Sequence, residues 1–466
     1  MFMRRSDRSS FWILLMILDL FVVYGSYELS YHLLQNGLSI ETAIEIDAVF
    51  LLFLAAASII SFQAFDLHID WKRHSARNLL YSIVLSSLTL NVLVVSMNAI
   101  TGTSLTVLFL IIAFLSQVAV LCCSKLVMWS YLRNTHSGKK VLVIGKTPEI
   151  SSVMAQKFMK QRTDWLIMSD FLSAEEKEKY EEKMESADVV LIGPEVSKQD
   201  AAIITGLSMK KNKEVMIVPD LFELFIANSR PEQIDDLMVF SIKPPELSRT
   251  QTAIKRMTDI AVSLLLIAAA GPIMSVLYLL IPLTSKGAAV FKQERIGLFG
   301  KPYMLYKFRS MVQDAEMHTG PVLASDRDPR ITYLGNIIRA TRLDELPQLF
   351  NVLKGDMSLI GPRPEREFFI RKFEVDFPDY HHRLRVKPGI TGLAQVLANY
   401  TTEPEDKLRY DLMYVRNYSV MLDLKILLQT IRVIIQRDQA QGVSVDLGNK
   451  NEKAVKPIEQ SGAVNQ

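Results

Sequence analysis

Asp344 and Glu345 stand side by side in Ile337-Ile338-Arg339-Ala340-Thr341-Arg342-Leu343-Asp344-Glu345-Leu346-Pro347. An acid pair beside two arginines is either a surface ion-pair cluster or a reaction centre, and its surroundings decide between them. Within twenty residues comes Lys354-Gly355-Asp356-Met357-Ser358-Leu359-Ile360-Gly361-Pro362-Arg363-Pro364-Glu365. Two prolines fix the backbone around Arg363, Gly361 permits close approach, and a guanidinium on a stiff loop makes a phosphate fork. Upstream, the strand-like Tyr303-Met304-Leu305-Tyr306-Lys307-Phe308-Arg309 puts Lys307 and Arg309 on one alternating face, which suits an anionic ligand. Together these residues point to a phosphorylated substrate.

Several elements must position them. Val290 to Gly297 is a second strand-like run, joined to the first through Gly300-Lys301-Pro302 as a hairpin. Ile260 to Leu283 is uncharged and long enough to span a bilayer, but Gly271-Pro272 sits at its middle, and Lys255, Arg256, Lys286, Lys292 and Arg295 flank both ends. Bases on both sides predict a re-entrant helix that bends at Pro272 and returns to the cytoplasmic face. Arg385-Val386-Lys387-Pro388-Gly389-Ile390-Thr391-Gly392 is either a basic loop near a nucleotide or a structural turn. Met421, Leu424, Leu428, Ile431 and Ile435 recur at helical spacing, as in an amphipathic helix on the membrane or a core helix. His381 and His382 are adjacent and are not read as a metal site.

The chain has 466 residues, 49% of them hydrophobic, with a mean hydropathy of +0.17 concentrated in the first 130 residues. Apolar runs near Phe11–Leu34, Ile46–Phe65, Leu80–Ile100 and Leu105–Met128 predict four transmembrane helices. Met1 to Arg8 leads into a full-length span, not a cleaved leader. Bases at Arg4, Arg5, Arg8, Lys72, Arg73, Arg77, Arg133, Lys139 and Lys140 put those segments in the cytoplasm, and Glu41, Glu45 and Asp47 outside. Asp19 and Glu28 in the first span are either functional or helix–helix contacts. Cys122 and Cys123 read as buried small residues. The net charge of +3 comes from 53 basic and 50 acidic residues, with no nucleic-acid patch.

Apolar runs at 139–145, 187–193 and 215–219, with a helical stretch at 150–162, predict an open α/β domain. Its first turn has one glycine and a proline in place of G-x-G-x-x-G, so it reads as regulatory or assembly-related, without a nucleotide. The expected architecture is a membrane protein of α+β class. It comprises a four-helix transmembrane region (1–132), a Rossmann-like α/β domain (139–245), a re-entrant helix (250–284), a catalytic domain (285–440) and a disordered tail (441–466).

The runs Lys307-Phe308-Arg309-Ser310-Met311, Asp344 through Glu365 and Arg385 through Val396 resemble the bacterial sugar transferases, the monotopic polyprenyl-phosphate phosphoglycosyl transferases that begin capsule and exopolysaccharide units. The resemblance covers about 250 to 440, and the preceding spans and α/β domain resemble the family's large members. It implies transfer of hexose 1-phosphate, glucose before galactose, from UDP-hexose to undecaprenyl phosphate at the cytoplasmic face of the plasma membrane, with UMP released. It implies Asp344 as nucleophile with Glu345 beside it, and a carboxylate attacking phosphorus gives an acyl phosphate. Mg2+ is expected near Asp344, because the diphosphate is highly charged. Arg339 and Arg363 correspond to family arginines and are read, with Lys307, as phosphate binders, and Asp411 matches a further family pattern. Family helices often bend at Ser-Pro, whereas this chain keeps only the proline. A homodimer and contacts with other polysaccharide-assembly proteins are further expectations, and an inactive membrane scaffold is the alternative.

Overall fold

The structure, a computed structural model, describes residues 5–37, 48–68, 76–101, 106–135, 138–146, 166–227, 229–242, 244, 246–313, 315, 328–398 and 402–436. The expected helix at 150–162 and the expected tail at 441–466 lie outside these residues.

The N-terminal region is a bundle of α1 (Arg5–His32), α2 (Ala48–Ala64), α3 (Ala76–Thr101) and α4 (Val107–Thr135). Three of these are long and apolar enough to cross a membrane, while α2 has only 17 residues. Tyr27 is fully buried at the bundle centre, edge-on to the rings of Phe50 and Phe109. Its hydroxyl donates to Asn91 Oδ1 at 3.3 Å, and Gln117 donates to Ser87 at 3.0 Å. These bonds satisfy polar groups that an apolar bundle would otherwise leave unpaired. Asp19 is a helix–helix contact, bonded to Lys125 of α4.

A parallel sheet follows, from β1 (Lys139–Gly145), β2 (Leu166–Ser173), then α5 (Tyr180–Glu185), β3 (Val189–Ile192), α6 (Lys198–Lys210) and β4 (Glu214–Ile217), in the order β2-β1-β3-β4. The three strands expected from sequence are present, and β2 is an addition. A short α7 (Leu221–Ile226) leads to a hairpin of β5 (Arg230–Ile234) and β6 (Leu237–Ser241), turned at Asp235 with φ 56°.

The capping box of Ser248 and Gln251 starts α8 (Arg249–Thr284), 36 residues long and apolar enough to span a bilayer. The segment expected to bend at Pro272 is helical without interruption through Gly271 and Pro272. Pro272 offers no N–H to the Ala268 carbonyl four residues back, and one turn on the Ser275 hydroxyl donates to its own i−4 carbonyl, Gly271 O, at 2.9 Å. One side of α8 packs on the following domain along its length. Lys255 is bonded to Asp423, Asp259 takes Ser358 and the Leu359 amide, and Met274, Leu277 and Ile281 meet Phe308 and Ile338. The other side exposes Leu264, Leu265, Ile273, Val276, Leu279 and Leu283.

That domain contains β7 (Val290–Ile296) and β8 (Pro302–Phe308), the expected antiparallel hairpin, then α9 (Tyr333–Ala340), α10 (Gln348–Lys354), β9 (Ser358–Ile360) and α11 (Glu367–Asp376). It continues with β10 (Gly389–Thr391), α12 (Leu393–Leu397), α13 (Pro404–Arg416) and α14 (Val420–Gln436). Strands β9 and β10 pair in parallel. Helix α14 shares both expected characters: Ile426 and Leu428 are buried, while Met421, Leu424, Ile431 and Ile435 form an exposed apolar face.

Candidate active site

Local chain geometry delivers the acid pair. Helix α9 ends at Ala340, and Arg342 then adopts a left-handed φ of 55°. Non-glycine residues rarely take this conformation, and it clusters at functional sites. The reversal opens a single 3-10 turn, Leu343–Glu345, which presents both carboxylates ahead of α10. Helix α10 is fixed at its far end, where Arg256 of α8 donates to the carbonyls of Val352 and Leu353 at 2.6 and 2.7 Å. Gly355, with φ 95°, turns the chain back into β9.

Asn351 joins α10 to the hairpin. It is fully buried, accepts from the Tyr306 amide at 3.0 Å and donates to Met304 O at 2.7 Å. The neighbouring Lys307 is thereby brought to Glu345, Nζ to Oε1 at 3.0 Å. Arg363 Nη2 reaches the same oxygen at 3.4 Å. Its backbone is clamped, with Arg383 donating to Arg363 O at 2.9 Å and Arg295 to Pro364 O at 3.3 Å, while its side chain is 47% exposed and can turn to a ligand.

The two acids differ electrically. Burial and the charge of Glu345 raise the Asp344 carboxyl above its usual value, against the pull of Lys307, Arg339 and Arg363. Burial also acts to raise Glu345, but Lys307, Arg363 and Arg342 outweigh it and bring it down to about 2. Glu345 is a fixed anion with its charge met. Asp344 accepts no hydrogen bond among the described residues. Four cations, Lys307, Arg339, Arg342 and Arg363, face two carboxylates, so the site suits an anion.

Arg339 stands in the last turn of α9, where its field reaches Asp344 without an ion pair among the described residues. Arg309 does not join the cluster. It is 9% exposed, and its guanidinium holds the loop just after α8 by donating to the carbonyls of Ser285, Lys286 and Gly287. The strand ends between Lys307 and Arg309, so alternation does not carry the second side chain into the site. Asp411 stands behind the site. It is buried, with Oδ2 accepting from Arg383 Nε at 2.9 Å and Nη2 at 2.7 Å. Asp411 thus fixes Arg383, and Arg383 fixes the Arg363 backbone. Asn351, Arg295 and Arg383 were not found from sequence, because the groups they bond lie far from them along the chain.

The basic loop at 385–392 is a structural partner of the Arg363 loop. Gly361 N donates to Thr391 O and Gly389 N to Pro362 O, each at 2.9 Å. A Cβ on Gly361 would lie 2.3 Å from Lys387 O, on Gly389 2.1 Å from Gly361 N, and on Gly392 2.1 Å from Gly361 O. No side chain fits at any of the three.

No cluster of three ligating side chains exists among the described residues. His381 bonds Pro378 O and His382 faces Asp379. A magnesium ion still fits Asp344, because this ion commonly takes one or two carboxylates and fills its remaining positions with phosphate oxygens and water.

The sequence model of the family described as Bacterial sugar transferase matches residues 250–437. An Aeromonas hydrophila UDP-N-acetylgalactosamine-undecaprenyl-phosphate N-acetylgalactosaminephosphotransferase is 45% identical over 39% of this chain and 44% of its own. A Salmonella typhimurium undecaprenyl-phosphate galactose phosphotransferase is 37% identical over 50% of this chain and 52% of its own. A Caulobacter vibrioides UDP-glucose:undecaprenyl-phosphate glucose-1-phosphate transferase is 39% identical over 40% of this chain and 71% of its own. The chain thus spans about half the length of the first two.

Proposed function

This chain belongs to the bacterial sugar transferase family, and from that premise we propose that it transfers hexose 1-phosphate from UDP-hexose to undecaprenyl phosphate, releasing UMP. The observation that carries this reading is the contrast within the acid pair. Glu345 is neutralised by Lys307 and Arg363, whereas Asp344, beside the same cations, accepts no hydrogen bond among the described residues.

An Asp344 oxygen attacks the sugar-bearing phosphorus. The bond from that phosphorus to the bridging oxygen breaks, and UMP departs with the bridging oxygen. The acyl phosphate is then opened by an oxygen of undecaprenyl phosphate, which forms the lipid diphosphate and returns the Asp344 carboxylate. Arg363 and Arg339 meet the phosphate oxygens, and Glu345 holds Lys307 and Arg363 in place between steps. Mg2+, held by Asp344 and the donor's diphosphate, would neutralise charge on the departing UMP.

Helix α8 supports a membrane-dipping arrangement with both ends on the cytoplasmic side. Lys255 at one end and Ser285 to Gly287 at the other are tied to the same domain, and apolar side chains cover the opposite face. The product would serve as the first lipid-linked unit of a capsule or exopolysaccharide. Glucose is the proposed sugar, with galactose next.

Purified full-length protein in nanodiscs with undecaprenyl phosphate, supplied with UDP-glucose, UDP-galactose or UDP-N-acetylgalactosamine, should release UMP with one donor preferred. No UMP from any of the three would sink the reading and favour the inactive scaffold.

A further inference from the structure

The turn after α2 joins the membrane bundle to the catalytic domain. On the bundle side, His68 Nε2 lies 2.7 Å from Asp19 Oδ2, which also takes Lys125 Nζ at 2.5 Å. Asp19 and Lys125 are 3% and 2% exposed, so the turn is anchored to a buried ion pair bridging α1 and α4. On the catalytic side, Asp66 accepts from Lys425 Nζ at 2.6 Å through Oδ1 and from Gln429 Nε2 at 2.8 Å through Oδ2. Both donors belong to α14. Ala64, Phe65 and Leu85 pack against Leu428 of the same helix. Asp66 holds a left-handed φ of 56°, a conformation that aspartate tolerates better than bulky residues.

Helix α14 then touches the loops behind the site. Thr430 Oγ1 lies 2.7 Å from Thr391 Oγ1, and the Thr391 carbonyl accepts the Gly361 amide at 2.9 Å. Two residues beyond Gly361 is Arg363.

We propose that Asp66 is a positioning residue for the transfer reaction: it seats α14 on the membrane bundle and so fixes the Thr391–Gly361 contact behind Arg363. This rests on the transferase reading above. The bundle then does more than anchor the chain, since it holds the phosphate-binding loop at a set place relative to the bilayer. Each link is a direct contact, and exchanging the charges of Asp66 and Lys425 reads the coupling along it.

In full-length protein in nanodiscs, Asp66→Lys and Lys425→Asp should each raise the KM for the nucleotide sugar about fivefold, with kcat changed less, as for loss of a charge-assisted contact. The double exchange should return to within about twofold of wild type. Thr430→Val, which leaves the Asp66 bonds intact, should reproduce the KM rise. Single variants at wild-type KM, or a double exchange no better than its parents, would overturn the proposal while leaving the transferase reading standing. A wild type that releases no UMP overturns the transferase reading, and this proposal with it. Independently of turnover, Asp66→Cys with Lys425→Cys, in a background where Cys122 and Cys123 are alanine, should be bridged in membranes by a short bis-thiosulfonate reagent. Failure to bridge would remove the seat itself.

Discussion

Lys307 Nζ stands 3.0 Å from Glu345 Oε1, so the acid adjoining Asp344 has its charge met before any ligand arrives. The pair therefore divides its labour. Asp344→Asn should reduce UMP release by at least about a thousandfold and abolish any radiolabelled sugar-phosphate adduct on the protein. Glu345→Gln should form the adduct more slowly without losing it. An Asp344→Asn enzyme that still carries label would assign the nucleophile elsewhere.

The acid limb of the rate should report Asp344. Its carboxyl is raised by burial and by Glu345, while Glu345 stays ionised down to about 2. Activity should fall as pH drops through a value above 3.8, and Glu345→Gln, by removing a negative neighbour, should move that limb to lower pH. The stability effects have opposite signs. A raised Asp344 binds its proton more tightly when folded, so its contribution is present at low pH and lost as pH rises through the folded value. The contribution of Glu345 is present above about 4.5 and lost as pH falls towards about 2. An unmoved acid limb in the Glu345→Gln rate profile would contradict this account.

Arg383→Met should be destabilising, because it strands the buried Asp411 carboxylate and frees the Arg363 carbonyl. Breaking a buried pair commonly costs about 3–5 kcal/mol. Thermal unfolding in detergent should show a lowered midpoint, partly restored when Asp411→Leu is added. Equal stability of the single and wild-type proteins would show that the pair is dispensable.

Cysteines at Ser248 and Ser285, which flank α8, should both react with a membrane-impermeant maleimide only when the cytoplasmic face is open. Labelling of one from each side would make α8 a crossing helix.

Chelation of divalent ions should stop UMP release, and added Mg2+ should restore it. Undiminished release in excess chelator would separate Asp344 from any metal.

The acid pair, Lys307 and the Arg363 loop were legible because each sits in a dense local motif, and proline and glycine limit what the backbone there can do. The β7–β8 hairpin was legible from alternation. Arg309 was misjudged because strand periodicity was extended one residue past the strand's end, where the guanidinium meets the carbonyls of the loop that follows α8 instead. Strand β2 was missed because Ser169 and Asp170 interrupt its apolar run; Asp170 is bonded to Lys183 and Ser169 to Val141 O. Asn351, Arg383 and Asp66 act across long sequence separations, with Asp66 bonded to residues 359 and 363 positions away. No local pattern encodes such partners.

The glycines at 361, 389 and 392 leave two loops pressed together main chain to main chain. A surface with no side chains between its halves cannot be retuned by substitution: any added methyl would force the halves apart and displace Arg363. Any change in what the site accepts would then have to come from side chains outside the seam, with the main-chain contact kept. Attempts to redirect the enzyme to another sugar should leave the seam intact and vary the residues that face the hexose.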